Sequence, residues 1–542
     1  MNADIVIKAK NLFTAESMEL TSGCVVIAED KIVDIVPLEQ IDTYVGESTK
    51  IIDAKEGLVM PGLIDAHTHF FNGALANSEH VCNDIEKSTS EEDCARIIAE
   101  YAKAHPNEKR IRGRGWFITN WGTTELPTKA SLDAVLPDIP VYLGAADCHS
   151  YWLNSAALKE CGVTEDTEVS SGYIGKLPNG ELSGMLVEME ACIYAEKKYR
   201  EFSYEDQVEI FSDFMTKAAS YGVTSLSEMI PGEYDDEHFI KYSIVKKLGD
   251  SGKAKTRLHL FTKLYDVDDY SVALDWKKKL DGPFIKLAGL KGFIDGVAET
   301  YTGLLLEPYT DKPETCGIGV PAKPLNELKE NVYRANAAGL PVRIHCIADG
   351  SVRMALDAFE YANSKCGDKA LANTIEHIEN IHPDDIDRFK KLHVIPSMQP
   401  IHMILDADGK IARIGEERIK YEWPLRSIVD SFGSVALGTD YPVVDINPFE
   451  NIYSAVTRCN FDGSSATHNE WEKLSIEETL LGYTAWAAKA YSRENEIGML
   501  KKGMLADVVI LDTNLLKVEP KEILNTKVLT TILNGKIVYE AE

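Results

Sequence analysis

The stretch Pro61-Gly62-Leu63-Ile64-Asp65-Ala66-His67-Thr68-His69 decides the fold prediction. Its apolar first half has the composition of a buried strand, and it ends in two histidines separated by one residue. Successive side chains of a strand alternate between its two faces, so we expect His67 and His69 on the same face. Two imidazoles at one strand terminus are able to take adjacent positions on a metal such as Zn²⁺. The stretch therefore predicts a strand that ends in part of a metal site.

Further apolar segments of strand length follow along the chain and alternate with helical patterns. They lie at residues 222–226, 257–261, 284–293, 341–345, 374–377, 394–398 and 435–440. Together with residues 62–67 they make eight candidate strands, the number that closes a (β/α)8 barrel. Strands that alternate with helices favour a parallel sheet. The predicted fold class is therefore α/β, a (β/α)8 TIM barrel whose chemistry lies at the carboxyl ends of its strands.

Three of these later segments also end in side chains that bind metals, namely His345, His377 and Asp440. A random placement of the 13 histidines over helices and loops would not favour the ends of barrel strands. Because the carboxyl ends of parallel strands meet at one mouth of a barrel, we expect these side chains to converge with His67 and His69. The pattern predicts a metal centre there.

The fourth candidate strand contains two lysines in an apolar run, Lys286 and Lys291. An odd separation places them on opposite faces, so only one faces the barrel interior. Burial lowers the pKa of a lysine, and the neutral amine reacts with carbon dioxide to give a carbamate that is able to bridge two metals. The pattern alone does not choose between the two lysines, and a lysine that reaches solvent is an equally open reading.

The two ends of the chain have a different pattern from the middle, with short strands separated by turns. Because chain termini tend to lie close together, we expect residues 1–61 and 497–542 to form one composite β-sandwich domain. The barrel is then expected over residues 62–496. The gap between the first two barrel strands is too long for one βα unit, which predicts an insertion at about residues 83–215 near the active-site face, where it shapes the substrate pocket.

The composition excludes several classes of function. The 542 residues include 86 acidic and 57 basic side chains, a net charge of −29, which disfavours binding to nucleic acid or to anionic membranes. No secretory signal and no apolar run of about 18 residues is found in the sequence. The ten cysteines contain no C-x-x-C pair. We expect a cytoplasmic enzyme acting on a small molecule, with a homodimer as the default assembly.

The motifs taken together resemble the amidohydrolase superfamily, and within it the amidohydrolase family 3 branch that includes N-substituted formamide deformylases. The resemblance covers nearly the whole chain and includes residues 61–69, 290–296, 344–345, 376–377 and 437–442. It implies one or two divalent metal ions, zinc in particular, with either an N6-carboxylated lysine that bridges two ions or an unmodified, structural lysine beside a single ion. It favours Lys291, because the lysine of the family stands four residues before an Asp-Gly pair. The metal-site residues that it implies are His67, His69, Lys291, His345, His377 and Asp440.

The expected activity is metal-dependent hydrolysis of a carbon–nitrogen bond other than a peptide bond, in an amide, a formamide or a cyclic amide. Activated hydroxide attacks the carbonyl, and Asp440 is the expected catalytic residue that accepts the proton and passes it to the leaving nitrogen. Two alternatives stay open. The same site is able to hydrolyse an ester, a lactone or a phosphoester, and a member of the family without catalysis is able to act as a scaffold.

Five further residues are candidates for substrate binding: Trp116, His149, Glu299, Tyr301 and Arg343. Glu299 and Tyr301 lie where residues 297–302 depart from the usual pattern of the family. Trp116 is expected in a pocket wall or in the core of the insertion. His149 is expected either to line the pocket or to form a buried pair with Asp147. Arg343 is expected to contact a substrate carboxylate or to make an ion pair deeper in the barrel.

Overall fold

The computed structural model of the chain describes residues 2–146, 150–169, 172–235, 239–317, 324–405, 407–466 and 469–542. The chain divides into two compact units. The barrel unit comprises Met1–Phe70, Met215–Tyr234 and Tyr242–Glu542, and the second unit comprises Phe71–Phe214 and Asp235–Lys241.

Strands are numbered in chain order through the described residues. They are β1 (Ile5–Phe13), β2 (Leu20–Ala28), β3 (Lys31–Val36), β4 (Lys50–Asp53), β5 (Leu58–Pro61), β6 (Leu63–Ile64), β7 (Ile111–Trp116), β8 (Val141–Ala145), β9 (Ser150–Leu153), β10 (Tyr173–Lys176), β11 (Leu182–Val187), β12 (Val223–Glu228), β13 (Arg257–Lys263), β14 (Ile285–Phe293), β15 (Val342–Cys346), β16 (Thr374–His377), β17 (Ile395–Met398), β18 (Ala436–Leu437), β19 (Val508–Leu511), β20 (Val528–Leu533) and β21 (Lys536–Glu540).

Helices are numbered in the same way. They are α1 (Phe70–Asn77), α2 (Glu91–Ala104), α3 (Lys129–Val135), α4 (Ser155–Cys161), α5 (Met189–Tyr199), α6 (Tyr204–Ser220), α7 (Tyr242–Asp250), α8 (Ser271–Lys279), α9 (Leu325–Ala337), α10 (Asp349–Cys366), α11 (Pro383–Leu392), α12 (Ala407–Ile414), α13 (Leu425–Phe432), α14 (Pro448–Thr457), α15 (Ile476–Gly482) and α16 (Ala485–Lys489). Within the described residues, none of these helices has the length and apolar character needed to span a bilayer.

The barrel is an eight-stranded sheet with the order β6, β12, β13, β14, β15, β16, β17 and β18. Every neighbouring pair in it is parallel. Each of these strands overlaps one of the eight segments that the sequence predicts, so the (β/α)8 prediction is confirmed. Apolar side chains such as Ile64, Phe261 and Ala436 pack together as one buried cluster of the barrel. Burying such side chains provides the main driving force for forming the sheet.

The first and last barrel strands are joined by hydrogen bonds that close the barrel. The backbone N–H of Ala66 donates to the carbonyl of Leu437 at 3.0 Å, and the N–H of Asp440 donates to the carbonyl of His67 at 2.7 Å. Strands β6 and β18 are shorter than the sequence predicts, because the chain continues from each of them directly into the residues of the barrel mouth.

Both termini contribute to a second eight-stranded sheet of the barrel unit, with the order β21, β20, β19, β5, β1, β2, β3, in which β4 pairs with β1. The expected composite of the two termini is therefore confirmed. Asn534 and Gly535 both have positive φ, 53° and 75°, in the tight turn between β20 and β21. Near this turn, the buried guanidinium of Arg257 donates to both carboxylate oxygens of Asp507 at 2.7 Å, which ties β13 to the residue before β19.

The second unit contains a five-stranded sheet with the order β10, β11, β9, β8, β7. Its hydrophobic core includes Ile98, Leu143 and Trp152. This unit contains nearly all of the segment that the sequence predicts as an insertion at about residues 83–215. The position of the insertion near the active-site face stays a prediction.

Candidate metal centre

Asp440 lies at the centre of a group of histidines at the mouth of the barrel. Its Oδ1 is 2.8 Å from Nε2 of His69 and 3.4 Å from Nε2 of His67, and its Oδ2 is 4.0 Å from Nδ1 of His377. One ligand atom each from His67, His377 and Asp440 lie within 4.8 Å of one another. The distances from Asp440 thus show that four of the six predicted metal-site residues lie close together, namely Asp440 itself, His67, His69 and His377.

Local backbone conformation directs two of these side chains. His377 and Asp440 have φ of 76° and 63°, in the left-handed region that residues other than glycine rarely adopt. His377 is the last residue of β16, and Asp440 follows β18. Strained backbone of this kind persists only where the surrounding structure holds it, and it clusters at functional sites. The strain here lies on two of the residues that form the compact ligand group.

His345 and Lys291 complete the predicted set. His345 lies on β15 with its ring centroid 4.3 Å from that of His377, while its Nε2 is 3.4 Å from the carbonyl of Gly296 and 3.9 Å from Oδ1 of Asp295. Lys291 lies on β14 and is 1% exposed. Lys286, the other lysine of this strand, pairs with Asp281 and Glu496. Lys291 is therefore the buried lysine of the two.

The electrostatics favour neutral imidazoles and an ionised carboxylate. Burial lowers the pKa of His67 and, together with the Lys291 cation, lowers that of His345 to about 3. Burial and the neighbouring His345 hold the pKa of His377 well below its usual range. Burial alone would raise the pKa of Asp440, but the surrounding imidazoles outweigh it and hold the pKa well below the ordinary value. Neutral imidazole and ionised carboxylate are the forms that bind a metal.

Lys291 and His69 differ from this pattern. Burial lowers the pKa of Lys291 to about 8, although the carboxylates of Glu376 and Asp440 act in the opposite direction. Burial disfavours the cation of His69, but the adjacent Asp440 carboxylate outweighs it and raises the pKa.

Several buried polar atoms of this group have no hydrogen-bond partner among the described residues. They are Nδ1 of His69, both ring nitrogens of His377 and Nζ of Lys291. Buried polar atoms in proteins are nearly always satisfied, so such a concentration calls for a ligand. Nitrogen and carboxylate donors without thiolates suit Zn²⁺ and related divalent ions. The residues present therefore fit a metal ion.

A second layer of buried polar residues supports the ligands. Glu376, next to His377 in sequence, has a carboxylate oxygen 2.7 Å from Nδ1 of His67. Asp65 accepts hydrogen bonds from the backbone N–H of His67 and from the hydroxyl of Thr439. Burial alone would raise the pKa of Glu376, but Arg343 and His67 lower it to about 2. Neither Glu376 nor Asp65 was singled out from the sequence, although each stands within two residues of a predicted ligand.

The five predicted substrate residues have different surroundings. Arg343 is buried and donates to Glu376 at 3.0 Å and to the carbonyls of Ala66 and Ala490, which is the ion-pair alternative of the two left open by the sequence. Trp116 is 2% exposed in the core of the second unit, where its indole N–H donates to the carbonyl of Leu143. Its surroundings are those of a core residue.

Glu299 and Tyr301 lie on a short turn after β14. Glu299 is exposed, and Tyr301 is half-buried with its hydroxyl donating to Asp311 at 2.9 Å. His149, and Asp147 with which it was expected to pair, lie outside the described residues.

With this geometry in place, comparison with known proteins decides the family. Residues 50–539 match the family described as the amidohydrolase family. The chain belongs to the amidohydrolase family. A family match over most of the chain and a barrel mouth with converging metal ligands agree, and the resemblance seen in the sequence is confirmed.

Individual relatives of the family are similar over nearly their whole length. The chain is 30% identical to the protein LONG AFTER FAR-RED 3 of Arabidopsis thaliana, over 99% of this chain and 92% of that protein. It is 22% identical to the N-substituted formamide deformylase of Arthrobacter pascens, over 99% and 98%. A crystal structure of an uncharacterized metal-dependent hydrolase from Pyrococcus horikoshii has the same fold, with a TM-score of 0.77 and 24% identity over 95% of this chain and 99% of that one.

Proposed function

We propose that the protein is a metal-dependent hydrolase that cleaves a carbon–nitrogen bond other than a peptide bond, in an amide, a formamide or a cyclic amide. The observation that carries the proposal is the compact group of His67, His377 and Asp440, with ligand atoms within 4.8 Å of one another at the mouth of a barrel. The name of the Arthrobacter pascens relative, a formamide deformylase, supports the choice of bond.

The residues divide into ligands and a proton carrier. A bound divalent ion, which we propose to be zinc, lowers the pKa of water and polarises a carbonyl group. We propose that this ion is bound by His67, His69, His345, His377 and Asp440. Lys291 is a further ligand when two ions bind. Asp440 is also the proton carrier, because its ionised carboxylate lies at the centre of the group, with Nε2 of His69 and Nε2 of His67 2.8 Å and 3.4 Å from its Oδ1. It accepts the proton of the attacking water and delivers it to the leaving nitrogen.

We further propose that Lys291 is carboxylated at Nζ. The buried Nζ has no hydrogen-bond partner among the described residues, and burial lowers its pKa toward neutrality. The neutral amine adds to the carbon of carbon dioxide, one N–C bond forms, and a proton is released to solvent, which leaves a carbamate anion. Carbon-13 NMR of enzyme equilibrated with ¹³C-bicarbonate is expected to show one carbamate resonance that is missing in Lys291→Met.

The experiment that tests the function is a hydrolysis screen with zinc-loaded enzyme over N-formyl amines, N-acyl amines and cyclic amides. We expect turnover of at least one class, with kcat reduced at least about 100-fold in Asp440→Asn while metal content is largely retained. Glu472→Gln is a suitable control, because it also exchanges a carboxylate for the amide of the same shape, at a buried residue that binds the backbone and hydroxyl of Ser427. Full activity of Asp440→Asn would overturn the role of Asp440.

The same screen separates the alternative functions. Turnover of esters, lactones or phosphoesters without any amide would replace the proposed bond class. Failure of the purified protein to retain zinc after supplementation, with no turnover, would favour a scaffold without catalysis. We also propose that the protein works in the cytoplasm, since the nine described cysteines are all free thiols.

A further inference from the structure

A fully buried glutamine lies beside the metal centre and has no role in the chemistry described above. Gln399 directly follows β17, and the carbonyl of the preceding residue, Met398, accepts a hydrogen bond from the backbone N–H of Gly438 at 3.2 Å. Gly438 stands two residues before Asp440. The glutamine therefore lies at the same end of the barrel as the catalytic aspartate.

The register of the sheet indicates that the Gln399 side chain faces the barrel interior. Ser397 is the register partner of both Glu376 and Ala436. Glu376 contacts His67, and Ala436 belongs to the buried cluster of the barrel with Ile64. Residues that are paired across neighbouring strands share a face, and side chains two residues apart return to the same face. The side chain of Gln399 is therefore expected on the same face as that of Ser397, two residues nearer to the mouth of the barrel.

The carboxamide of Gln399 is unsatisfied. Gln399 is 0% exposed, and neither its Oε1 nor its Nε2 has a hydrogen-bond partner among the described residues. Burying a primary amide without partners costs free energy, so a protein retains it where a ligand provides the missing bonds. One edge of the carboxamide presents an acceptor, Oε1, and one N–H donor of Nε2 side by side, and the second N–H points away from that edge.

Two buried aromatic residues, His402 and Trp423, form a row of rings with His377. The ring of His402 lies 6.5 Å from that of His377 and 6.1 Å from that of Trp423, and its Nε2 is 3.2 Å from the carbonyl of Thr439. Trp423 is fully buried, and its indole N–H has no partner among the described residues. Its backbone N–H donates to the carbonyl of Glu379, two residues after His377.

Two buried cations, Lys410 beside Trp423 and Arg343 beside Glu376, are already paired with carboxylates, which favours an uncharged ligand. Lys410 lies with its Nζ 5.1 Å from the indole ring, but the same Nζ donates to Glu379 at 2.5 Å and lies 3.4 Å from Glu422. Arg343 is likewise paired with Glu376. Each of these two buried cations already has a carboxylate partner, so neither favours recognition of a substrate carboxylate.

We propose that Gln399 recognises the amide group of an uncharged substrate through a pair of hydrogen bonds, in which Nε2 donates to the amide oxygen and Oε1 accepts from the amide N–H. Both bonds form together only when the N–H and C=O lie on one edge, as in a lactam or another cyclic amide. The inference rests on the proposed function and narrows it to substrates with a cis amide.

The test measures binding rather than turnover. Dissociation constants of zinc-loaded enzyme are determined by ligand-observed NMR for 2-piperidinone, which has a cis N–H, and for 1-methyl-2-piperidinone, which lacks the N–H. Wild-type enzyme is expected to bind the unmethylated lactam at least about tenfold more tightly, because the methylated one leaves Oε1 buried and unpaired. Gln399→Met is expected to lose this preference. Ser397→Ala changes a residue on the same strand face but farther from the mouth of the barrel. This variant is expected to keep the preference for the unmethylated lactam.

The outcomes separate this inference from the proposed function. Equal binding of the two lactams by wild type, absence of lactam binding, or a preference that persists in Gln399→Met would each overturn the role of Gln399. The comparison of two ligands on wild-type enzyme needs no variant, so it stays decisive if Gln399→Met does not fold. If the protein binds the unmethylated lactam selectively but hydrolyses no amide in the screen, the role of Gln399 is supported and the proposed hydrolase activity is contradicted.

Discussion

Nδ1 of His67 lies 2.7 Å from one carboxylate oxygen of Glu376, and the other oxygen of that carboxylate accepts from Nη1 of Arg343 at 3.0 Å. All three side chains are at most 1% exposed. A carboxylate that holds one nitrogen of an imidazole fixes the ring and leaves the other nitrogen for a metal. In this barrel the other nitrogen of His67 faces Asp440.

Glu376→Gln is expected to lower zinc affinity about 10- to 100-fold, because the amide keeps the shape of the side chain but removes the charge that orients and strengthens His67 as a ligand. Competition with a chromophoric chelator measures the affinity. Glu472→Gln, which changes a buried glutamate bound to Ser427, is expected to leave affinity unchanged. Wild-type affinity in Glu376→Gln would show that this carboxylate does not support the metal.

Removal of metal by a chelator is expected to lower the melting temperature, because a ligand that binds only the folded state stabilises it by about 4 kcal/mol at a thousandfold excess over its dissociation constant. Hydrogen exchange should locate the effect. We expect faster exchange around His67, His377 and Asp440 and unchanged exchange in strands β7 to β11 of the second unit. A uniform increase over both units would instead indicate general destabilisation.

Lys291 is expected to make the stability of metal-free protein depend on pH. An unfolded lysine keeps its proton up to about pH 10.5, whereas the buried Lys291 loses it near pH 8. Between these values the unfolded state binds more protons, so the free energy of unfolding rises with pH, by about 3 kcal/mol in total. Below pH 8 the buried Lys291 carries its charge, and the full cost of burying that charge lowers the free energy of unfolding.

Chemical denaturation in buffer free of carbon dioxide, at several values between pH 7 and about pH 10.5, measures this rise. Lys291→Met is the matched control, because it retains an unbranched side chain without the charge. The difference in unfolding free energy between the two proteins should shrink as pH increases. A constant difference would show that Lys291 keeps its proton in the folded state.

Asp507→Ala is expected to destabilise the barrel unit by about 3–5 kcal/mol, because it leaves the fully buried guanidinium of Arg257 without its carboxylate. The double variant Arg257→Met and Asp507→Leu removes both charges and should recover much of the loss. Urea denaturation of the three proteins measures the differences. Equal stability of the single and double variants would contradict the importance of the unpaired charge.

The sequence was sufficient to predict the barrel, and to predict which side chains gather at its mouth, for a physical reason. Buried parallel strands are short apolar runs, and His345, His377 and Asp440 stand at the ends of such runs, where parallel strands converge. The family resemblance favoured Lys291 over Lys286, and the structure adds the partners of Lys286, which are Asp281 and Glu496.

The supporting residues were harder to predict. Glu376 and His377 are neighbours, and strand alternation would place them on opposite faces. The positive φ of His377 breaks that alternation and allows both side chains to reach the site, which no pattern of apolar and polar residues reveals. Gln399 was missed because a single amide between apolar residues has no characteristic spacing. Only the three-dimensional structure shows that its carboxamide is buried without hydrogen-bond partners among the described residues.

The hydroxyl of Thr439 donates to Asp65 across 374 residues of chain. During synthesis on the ribosome, His67 and His69 leave the exit tunnel long before Asp440 exists. Nascent chains therefore carry the first two imidazoles without the carboxylate at their centre, and a messenger truncated before strand β18 produces a protein that lacks Asp440. The order of translation therefore allows this centre to be completed only after residue 440 of the 542 has been added to the chain.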